Sequence, residues 1–391
     1  MQRDLLFPEL EKELKRYLRP VNQGILPSQD IQKLIERGHV VGDSPIDSGQ
    51  VQPASIDLRL GSTAYRVQAS FLPGDKSPVS KKINRLVMHE LDLTRPAVLE
   101  RGCVYIVRLI EELRLPKAIS GRANPKSSTG RLDIFTRLIT DYSGEFESVP
   151  KNYQGPLYVE VVPRTFSILV QRGLSLNQLR FVRGNPNSAS NSKLTELDIS
   201  ESLVISGGKR TDASIDRGVW FSIDLRGAGK GQKIVGYKAK NHAPLLDLRK
   251  VGDHDPGEFW EPIKPSRSGQ LVLNPDDFYI LASKERVRIP PTYSASMVPY
   301  DPSVGEFRIH YAGFFDPGFG YGANDVNGAR AVLEVRSHEV PFLLEDGQVV
   351  GRLIYERLLD KPDKIYGAGI GSSYQSQGLA LSKHFRPWSG V

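Results

Sequence analysis

Residues that hold metals and cross-link chains are scarce in this sequence. Cys103 is the single cysteine among 391 residues, which excludes a disulfide framework and any site built from several thiolates. The seven histidines show no ligand spacing. His254 stands between two aspartates in a turn flanked by glycine and proline, which is typical of a solvated loop. We therefore expect no metal held by the protein, and no zinc in particular.

Long apolar runs are also missing. No run approaches the roughly 20 residues that span a bilayer, and the N-terminal Met1-Gln2-Arg3-Asp4 does not open a signal peptide. We expect a cytoplasmic protein with no membrane partner. The net charge of +7 suits a nucleic acid or a polyanionic small substrate such as a nucleoside triphosphate. Because lysine and arginine are spread along the chain rather than blocked, we expect no nucleic-acid partner.

Helical periodicity is rare and is confined to the N-terminal region. Apolar residues at helical spacing predict one helix over residues 8–18. Pro27 followed by Ser28 predicts a second helix that ends at Gly38, with Ser28 as its N-cap. Beyond it, glycine and proline punctuate short alternating runs such as residues 157–162. This pattern predicts a mainly β protein built from sandwiches, jelly rolls or distorted barrels.

The sequence repeats itself in order. The run SIDLR at 55–59 returns at 222–226, and LYVEV at 157–161 is answered by VLEV at 332–335. The spacing between the echoes drifts, which indicates two copies of one all-β unit with loops inserted between strands. Each copy then acts as a control for the other. A residue kept by both copies is expected to serve the fold, and one kept by a single copy is a candidate for chemistry.

Composition suggests where the units end. Small polar residues dominate 184–214, which is the composition of a linker or a long loop. We expect a helical extension at 1–24, a first unit at 25–205, a linker at 206–217 and a second unit at 218–360. The remainder, 361–391, is rich in Gly, Ser and Gln but carries isolated tyrosines, so we expect it to order on a ligand or neighbour as a closing arm.

The densest run of small polar and cationic residues is GRANPKSSTGR at 121–131. Its glycines allow close approach of a ligand, and its hydroxyl and cationic groups suit phosphate oxygens. It lacks the spacing of a Walker loop, and an ordinary polar loop is the plain alternative. The second copy reads YDPSVGE at 300–306, with acids in place of cations. The fold therefore does not require the cationic version, which makes its residues candidates for substrate contact.

Both copies place a glutamate inside an apolar strand, Glu160 in the first and Glu334 in the second. A carboxylate in such a position costs several kcal/mol unless it is paired or solvated. An outward-facing residue or a shared structural role, such as an ion pair between subunits, is the plain alternative. A buried carboxylate beside a cationic loop has a raised pKa and suits a proton shuttle.

Several of these segments together resemble the signatures of the dCTP deaminase family, a branch of the trimeric dUTPase-like superfamily. QPASIDLRLG at 52–61, preceded by ILPSQDI at 25–31, is similar to the family's N-terminal signature. PKSSTGRL at 125–132 resembles its Arg-Ser-Ser-x-x-Arg-Leu loop, with Lys126 in place of the first arginine. GFFDPGF at 313–319 resembles its Asp-Pro-Gly turn, and YQSQG at 374–378 resembles the C-terminal arm that closes over the nucleotide.

The resemblance implies two tandem dUTPase-like β-barrel or jelly-roll units that deaminate dCTP hydrolytically to dUTP and ammonia. A glutamate acts as general base and acid, no metal acts at the base, and Mg²⁺ accompanies the triphosphate. The first unit offers only Asp141 in place of the turn aspartate, and Ser373 stands where the arm has a lysine. The matched catalytic residues are Glu160, Arg131, Ser127 and Glu334, and the matched substrate contacts are Lys126, Ser128, Arg122, Asp141, Asp316, Tyr374 and Gln377.

This chain departs from the family pattern in two ways. Ordinary members have one unit, and here the serine loop lies in the first unit while the turn and the arm lie in the second. We expect Glu160 to be the working glutamate, with Glu334 or a site built from both units as the alternative. Family sites lie between subunits, so we expect a homo-oligomer, preferably a trimer with two stacked layers. A dUTPase, a bifunctional deaminase and pyrophosphatase, and a nucleotide-binding regulator without turnover are the competing functions.

Overall fold

The computed structural model describes residues 22–227, 233–299, 307–310, 313–321, 328–337, 340–367 and 378–388, with 307–310 described by their backbone alone. The protein is mainly β, as the alternating runs predict. The helix predicted at 8–18 lies outside the described residues. The helices within them are short: α1 (Ser28–Glu36), α2 (Val79–Leu86), α3 (Ser127–Gly130), α4 (Asn191–Glu201) and α5 (Pro256–Phe259).

Helix α1 confirms the second predicted helix and corrects its cap. Pro27 occupies the N-cap position with extended backbone, and Ser28 is the first helical residue. The Ser28 hydroxyl donates to the side chain of Gln29 instead of accepting from the helix backbone. Proline before the first turn already fixes an extended entry, so no side-chain cap is formed. The chain leaves the helix through Gly38, whose φ of 70° suits the left-handed position after a helix end.

The first unit supplies the strands from residue 24 to residue 183. They are β1 (Gly24–Ile25), β2 (Val40–Gly42), β3 (Ile56–Val67), β4 (Val87–Asp92), β5 (Ala97–Leu99), β6 (Val104–Arg114), β7 (Ile119–Pro125), β8 (Ile134–Thr140), β9 (Ser148–Val149), β10 (Gln154–Pro163), β11 (Ile168–Val170) and β12 (Ser175–Arg183). Within the described residues, the order β8-β10-β6-β3-β12-β7-β9 forms the path of the main sheet.

The second unit supplies the strands from residue 204 to residue 357. They are β13 (Val204–Ser206), β14 (Lys209–Arg210), β15 (Val219–Ser222), β16 (Gly236–Ala239), β17 (Leu246–Asp247), β18 (Trp260–Ile263), β19 (Gln270–Leu273), β20 (Tyr279–Val287), β21 (Tyr293–Pro299), β22 (Phe307–His310), β23 (Phe314–Phe315), β24 (Ala329–Ser337), β25 (Phe342–Glu345) and β26 (Val349–Arg357).

The strand pairing reproduces the repeat seen in the sequence. The antiparallel triplet β22-β24-β20 of the second unit matches β8-β10-β6 of the first. The triplet β15-β26-β21 likewise matches β3-β12-β7. Glu160 opposes Arg137 in β10 and β8, and Glu334 opposes His310 at the same place in β24 and β22. The two glutamates therefore occupy equivalent positions in equivalent sheets.

The two largest hydrophobic clusters of the described residues pack against these sheets. Leu194 and Leu197 of α4 and Val204 of β13 pack into the second core, so the packing favours a boundary near residues 184–190, before the expected linker. The first core takes residues from both units. Phe166 of the first unit packs edge-on against Trp260 of the second, with ring centroids 5.5 Å apart, and β11 pairs in parallel with β17. The units are thus held together by buried aromatic contacts and a shared sheet.

Strands β3 and β6 approach each other closely at Gly61 of β3. A Cβ at this position would lie 2.4 Å from the backbone oxygen of Arg108, which cannot move without breaking the sheet. We expect Gly61→Ala to destabilise the protein by about 2 kcal/mol or more. Gly49, where an added Cβ meets nothing within 4 Å, is the matched control. Urea unfolding of Gly61→Ala and Gly49→Ala measures the difference, and equal midpoints would contradict the predicted clash.

Candidate functional site

The serine loop joins β7 to β8 as one tight turn. Helix α3 holds it through backbone hydrogen bonds from Gly130 to Lys126 (3.0 Å) and from Arg131 to Ser127 (3.1 Å). Asp133 then takes a left-handed backbone with φ of 55°, a conformation that aspartate tolerates better than most residues. This turn places Lys126 at one end of the loop and Arg131 with Asp133 at the other.

At the first end of the loop, Lys126 forms an ion pair with Asp57 of β3. Asp57 is 7% exposed, and burial raises the pKa of its carboxyl against the pull of Lys126 and of Lys383 from the C-terminal segment. The Oδ1 atom of Asp57 is buried and accepts no hydrogen bond from the described residues. One carboxylate thus faces two ammonium groups and keeps a free acceptor.

At the other end of the loop, Arg131 and Asp133 of the first unit lie near residues of opposite charge on β24 of the second unit. Glu334 and Arg336 are two apart on β24 and so lie on the same face of the strand. Asp133 Oδ2 accepts hydrogen bonds from Arg336 Nε (3.1 Å) and from Thr165 Oγ1 (2.6 Å). Arg131 is close enough to Glu334 to act electrostatically on its carboxyl. The loop of one unit is therefore seated on the glutamate strand of the other.

Glu334 has the electrostatics of a proton shuttle. The residue is 4% exposed, and burial raises the pKa of its carboxyl from 4.5 to about 8, with Arg131 opposing the rise and Asp133 adding to it. A group with such a pKa accepts and releases protons near neutral pH, which is what general acid–base catalysis requires. Arg131 itself is 4% exposed and donates to the backbone oxygen of Ala380 at 3.1 Å.

The Asp-Pro-Gly turn reaches the same region from the second unit. Asp316 lies 3.7 Å from Arg180, an arginine on β12 with no exposed surface. Burial raises the pKa of Asp316 to about 6, opposed by Arg180, and both Asp57 and Lys126 are close enough to act on it. The Oδ1 atom of Asp316 is buried and receives no hydrogen bond from the part of the chain that the structure describes. Turn and loop thus belong to one site.

Glu160 lies in a different environment. Arg137 Nη2 donates to Glu160 Oε1 at 2.7 Å, and Arg137 Nε donates to the same atom at 3.0 Å. The Arg137 guanidinium also stacks 3.5 Å over the ring of Phe146. Burial raises the pKa of the neighbouring Glu147 to about 8. The structure therefore holds the first-unit glutamate in an ion pair.

The other matched residues divide into four groups. Ser127 and Ser128 lie in the loop, and the Ser128 backbone oxygen accepts from the Ser382 hydroxyl at 2.9 Å. Arg122 pairs with Glu356 across the units at 2.7 Å. Asp141 accepts from the backbone nitrogen of Val79 at 2.7 Å and so satisfies the start of α2. Tyr374 and Gln377 lie outside the described residues.

The sequence reasoning missed several residues of this site: Asp57, Asp133, Arg180, Arg336 and Lys383. Asp57 carried a signal, because both copies keep the Ile-Asp-Leu-Arg run, and in the second unit Asp224 pairs with Arg330 at 2.6 Å. The others have no local signature, since their meaning depends on contacts between the units. Within the described residues, no group of three or more His, Cys, Asp or Glu side chains is placed to hold a metal ion, and no helix is long and apolar enough to cross a membrane.

Known proteins share this arrangement along nearly the whole chain. The 2′-deoxycytidine 5′-triphosphate deaminase N-terminal domain model matches residues 22–185, and the C-terminal domain model of the same family matches residues 190–385. The chain belongs to the dCTP deaminase family. A crystal structure of 2′-deoxycytidine 5′-triphosphate deaminase from Agrobacterium tumefaciens superposes with a TM-score of 0.84 at 51% identity, covering 90% of this chain and 100% of that one.

Shorter relatives match about one unit of the chain. A dUMP-forming dCTP deaminase of Halobacterium salinarum is 34% identical over 160 residues, which is 40% of this chain and 74% of the relative. A dUMP-forming dCTP deaminase of Methanosphaera stadtmanae is 26% identical over 141 residues, which is 35% of this chain and 67% of the relative. These matches fit a family member in which the usual unit is present twice.

The raised pKa of Glu334 predicts how stability depends on pH. Between 4.5 and about 8 the folded protein holds a proton on Glu334 that the unfolded chain has released. The contribution of Glu334 to the free energy of unfolding is therefore fully present below pH 4.5. It is lost as the pH rises to about 8, by up to about 1.4 kcal/mol per pH unit. Glu334→Gln removes the titration, so its unfolding free energy falls less over this range. Urea unfolding at pH 5 and pH 8 measures both proteins, and identical pH dependence would contradict the raised pKa.

Proposed function

We propose that this chain deaminates dCTP hydrolytically at a composite site, with the serine loop from the first unit and the glutamate from the second. The observation that carries the proposal is the contact of the serine loop with β24 through Asp133 and Arg336. This contact brings Arg131 close enough to act electrostatically on the buried Glu334 carboxyl, whose pKa burial raises to about 8. Family membership supports dCTP as the substrate.

The reaction needs one group that first takes a proton and then returns it. Glu334 as carboxylate accepts a proton from a water molecule, and the resulting hydroxide adds to C4 of the cytosine ring. The protonated Glu334 gives this proton to N3 of the ring, takes up the proton of the new C4 hydroxyl and passes it to the amino nitrogen. The C4–N bond then breaks as the C4 carbonyl forms, so that dCTP and water become dUTP and ammonia. Arg131, with Ser127, orients the water and stabilises the carboxylate form of Glu334.

The remaining groups suit the sugar and the phosphates. The buried Oδ1 of Asp316 lacks a donor among the described residues, and a deoxyribose hydroxyl would supply one. Lys126 and Ser128 are assigned to the phosphate oxygens by the resemblance of their loop to the family's, and Mg²⁺ accompanies the triphosphate as part of the substrate. By the family resemblance, Tyr374 and Gln377, which lie outside the described residues, are assigned to the closing arm, and Arg122 contributes charge from the interface. Asp141, already engaged at α2, is left without a substrate role.

Glu334 is favoured over Glu160 by its surroundings. The Glu160 carboxylate already accepts two hydrogen bonds from Arg137 through Oε1, so it is engaged by a partner within its own unit. Glu334 has Arg131 beside it but gains no such paired hydrogen bonds from the described residues. This choice reverses the preference drawn from the sequence. We keep the homotrimer as the proposed assembly, because the family likeness implies it.

Substitution of each glutamate in turn tests which of the two is the catalytic base. Glu334→Gln cannot carry the proton, so we expect its rate of ammonia release from dCTP to fall by about 10²- to 10⁴-fold. Glu160→Gln, the matched control, keeps activity close to wild type per folded molecule, although loss of the partner of Arg137 lowers its stability. Loss of activity in Glu160→Gln with retention in Glu334→Gln would move the catalytic base to the first unit. Binding of dCTP by the wild type without ammonia release would indicate a regulator.

A further prediction concerns the product of the reaction. The relatives from Halobacterium salinarum and Methanosphaera stadtmanae are named dUMP-forming, which favours a bifunctional deaminase and pyrophosphatase as the second candidate. We expect dUTP and ammonia in equal amounts, without pyrophosphate, because the site as described accounts for attack at the base alone. Chromatography of the nucleotides with a pyrophosphate assay decides the point. Equal release of dUMP, pyrophosphate and ammonia would establish the bifunctional reaction.

A further inference from the structure

The C-terminal segment 378–388 is anchored on the second unit. Phe385 is buried and packs edge-on against Phe259, with ring centroids 5.3 Å apart. Next to this contact, the backbone nitrogen of Arg386 donates to the backbone oxygen of His254 at 2.9 Å. An aromatic contact and the main chain therefore fix the segment at this point.

From this anchor the segment reaches the serine loop of the first unit. The Ser382 hydroxyl donates to the backbone oxygen of Ser128 at 2.9 Å. Arg131 Nη1 donates to the backbone oxygen of Ala380 at 3.1 Å. The first contact holds the turn of α3, and the second holds the guanidinium to which the proposed function assigns the orientation of the water. The segment thus contacts the loop at two places.

Two buried polar side chains of the segment form a relay that ends on the loop. Ser382 and His384 are 2% and 6% exposed, and Ser382 Oγ lies 2.9 Å from His384 Nδ1. A hydroxyl has one hydrogen, which Ser382 gives to Ser128, so His384 Nδ1 carries a proton and donates it to Ser382. Burial of polar groups costs free energy that only hydrogen bonds offset. An aromatic anchor alone requires neither group, so the relay indicates that the contact with the loop is itself specified.

We infer that the segment 378–388 is a positioning element of the serine loop, with Ser382 as the positioning residue that keeps the Arg131 guanidinium oriented. The inference rests on the proposed function for the role of Arg131. Ser382 contacts no reacting atom. It acts through the Ser128 carbonyl on the turn that carries Arg131, while the Ala380 carbonyl holds the guanidinium directly.

Substitutions in the full chain test this role. Ser382→Ala breaks the relay and keeps the aromatic anchor, so we expect kcat for ammonia release from dCTP to fall by about tenfold and KM to change by less than about twofold. Phe385→Leu loosens the anchor and lowers kcat in the same direction. Ser80→Ala, which changes an exposed serine on α2, is the matched control and keeps both wild-type values. Thermal unfolding of each variant fixes an assay temperature at which all of them are folded.

A second readout does not depend on turnover. Arg131 and Asp133 act on the Glu334 carboxyl with opposite signs, Arg131 opposing the rise of its pKa. A displaced Arg131 therefore lets the pKa of Glu334 rise further, and we expect Ser382→Ala to raise it by about half a unit. Carbon NMR of isotope-labelled glutamate side chains measures this pKa, with the resonance of Glu334 identified by its loss in Glu334→Gln. Ser80→Ala leaves the pKa unchanged.

The two readouts separate the inference from the proposed function. A Ser382→Ala variant that melts at a lower temperature but keeps the wild-type kcat would overturn the inference and leave the segment a structural role. An unchanged pKa of Glu334 in this variant would overturn it whether or not the wild type is active. If that pKa rises as expected but the wild type releases no ammonia from dCTP, the positioning of Arg131 stands and the proposed function fails.

Discussion

The crossed charge pairs between the two units are the contact on which the site depends. Asp133 and Arg336 form one pair through hydrogen bonds that Thr165 completes, and the second is the electrostatic effect of Arg131 on Glu334. Arg131 and Asp133 are two residues apart, as are Glu334 and Arg336, so a slip of two residues between the segments would bring like charges together. Breaking a buried pair of this kind costs about 3–5 kcal/mol. The contact therefore sets the register of the units and aligns the glutamate with the loop.

Duplication has let equivalent residues take different roles. The aspartate of the repeated Ile-Asp-Leu-Arg run pairs with Lys126 in the first unit as Asp57, and with Arg330 in the second as Asp224. The strand glutamate is held by Arg137 in the first unit, while in the second Glu334 is left with a pKa of about 8. In a chain with one unit, every copy must serve both fold and chemistry. With two units, equivalent residues can form different contacts, as these aspartates and glutamates do.

Much of the fold could be predicted from the sequence, because strand alternation and the repeat are local signals. The cationic loop and the two strand glutamates were also visible, the latter because a carboxylate is out of place among valines and leucines. The choice between the glutamates was not visible, since it depends on sheet register across Arg137 and on contacts between the units. Lys383 could not be predicted for the same reason: it meets Lys126 only after the chain has folded back over both units. The N-cap of α1 was also mispredicted, because Pro27 and not Ser28 occupies the cap position.

The central claim is that one chain supplies both halves of a working site. It is tested most directly by mixing two inactive chains, Arg131→Met and Glu334→Gln, co-expressed with different tags and purified as hybrid oligomers. If both residues of each site come from the same chain, the hybrids stay as inactive as the parents, because no site has an intact pair. Recovery of dCTP deamination in the hybrids would contradict the account, since Arg131 of one chain would then be acting with Glu334 of another.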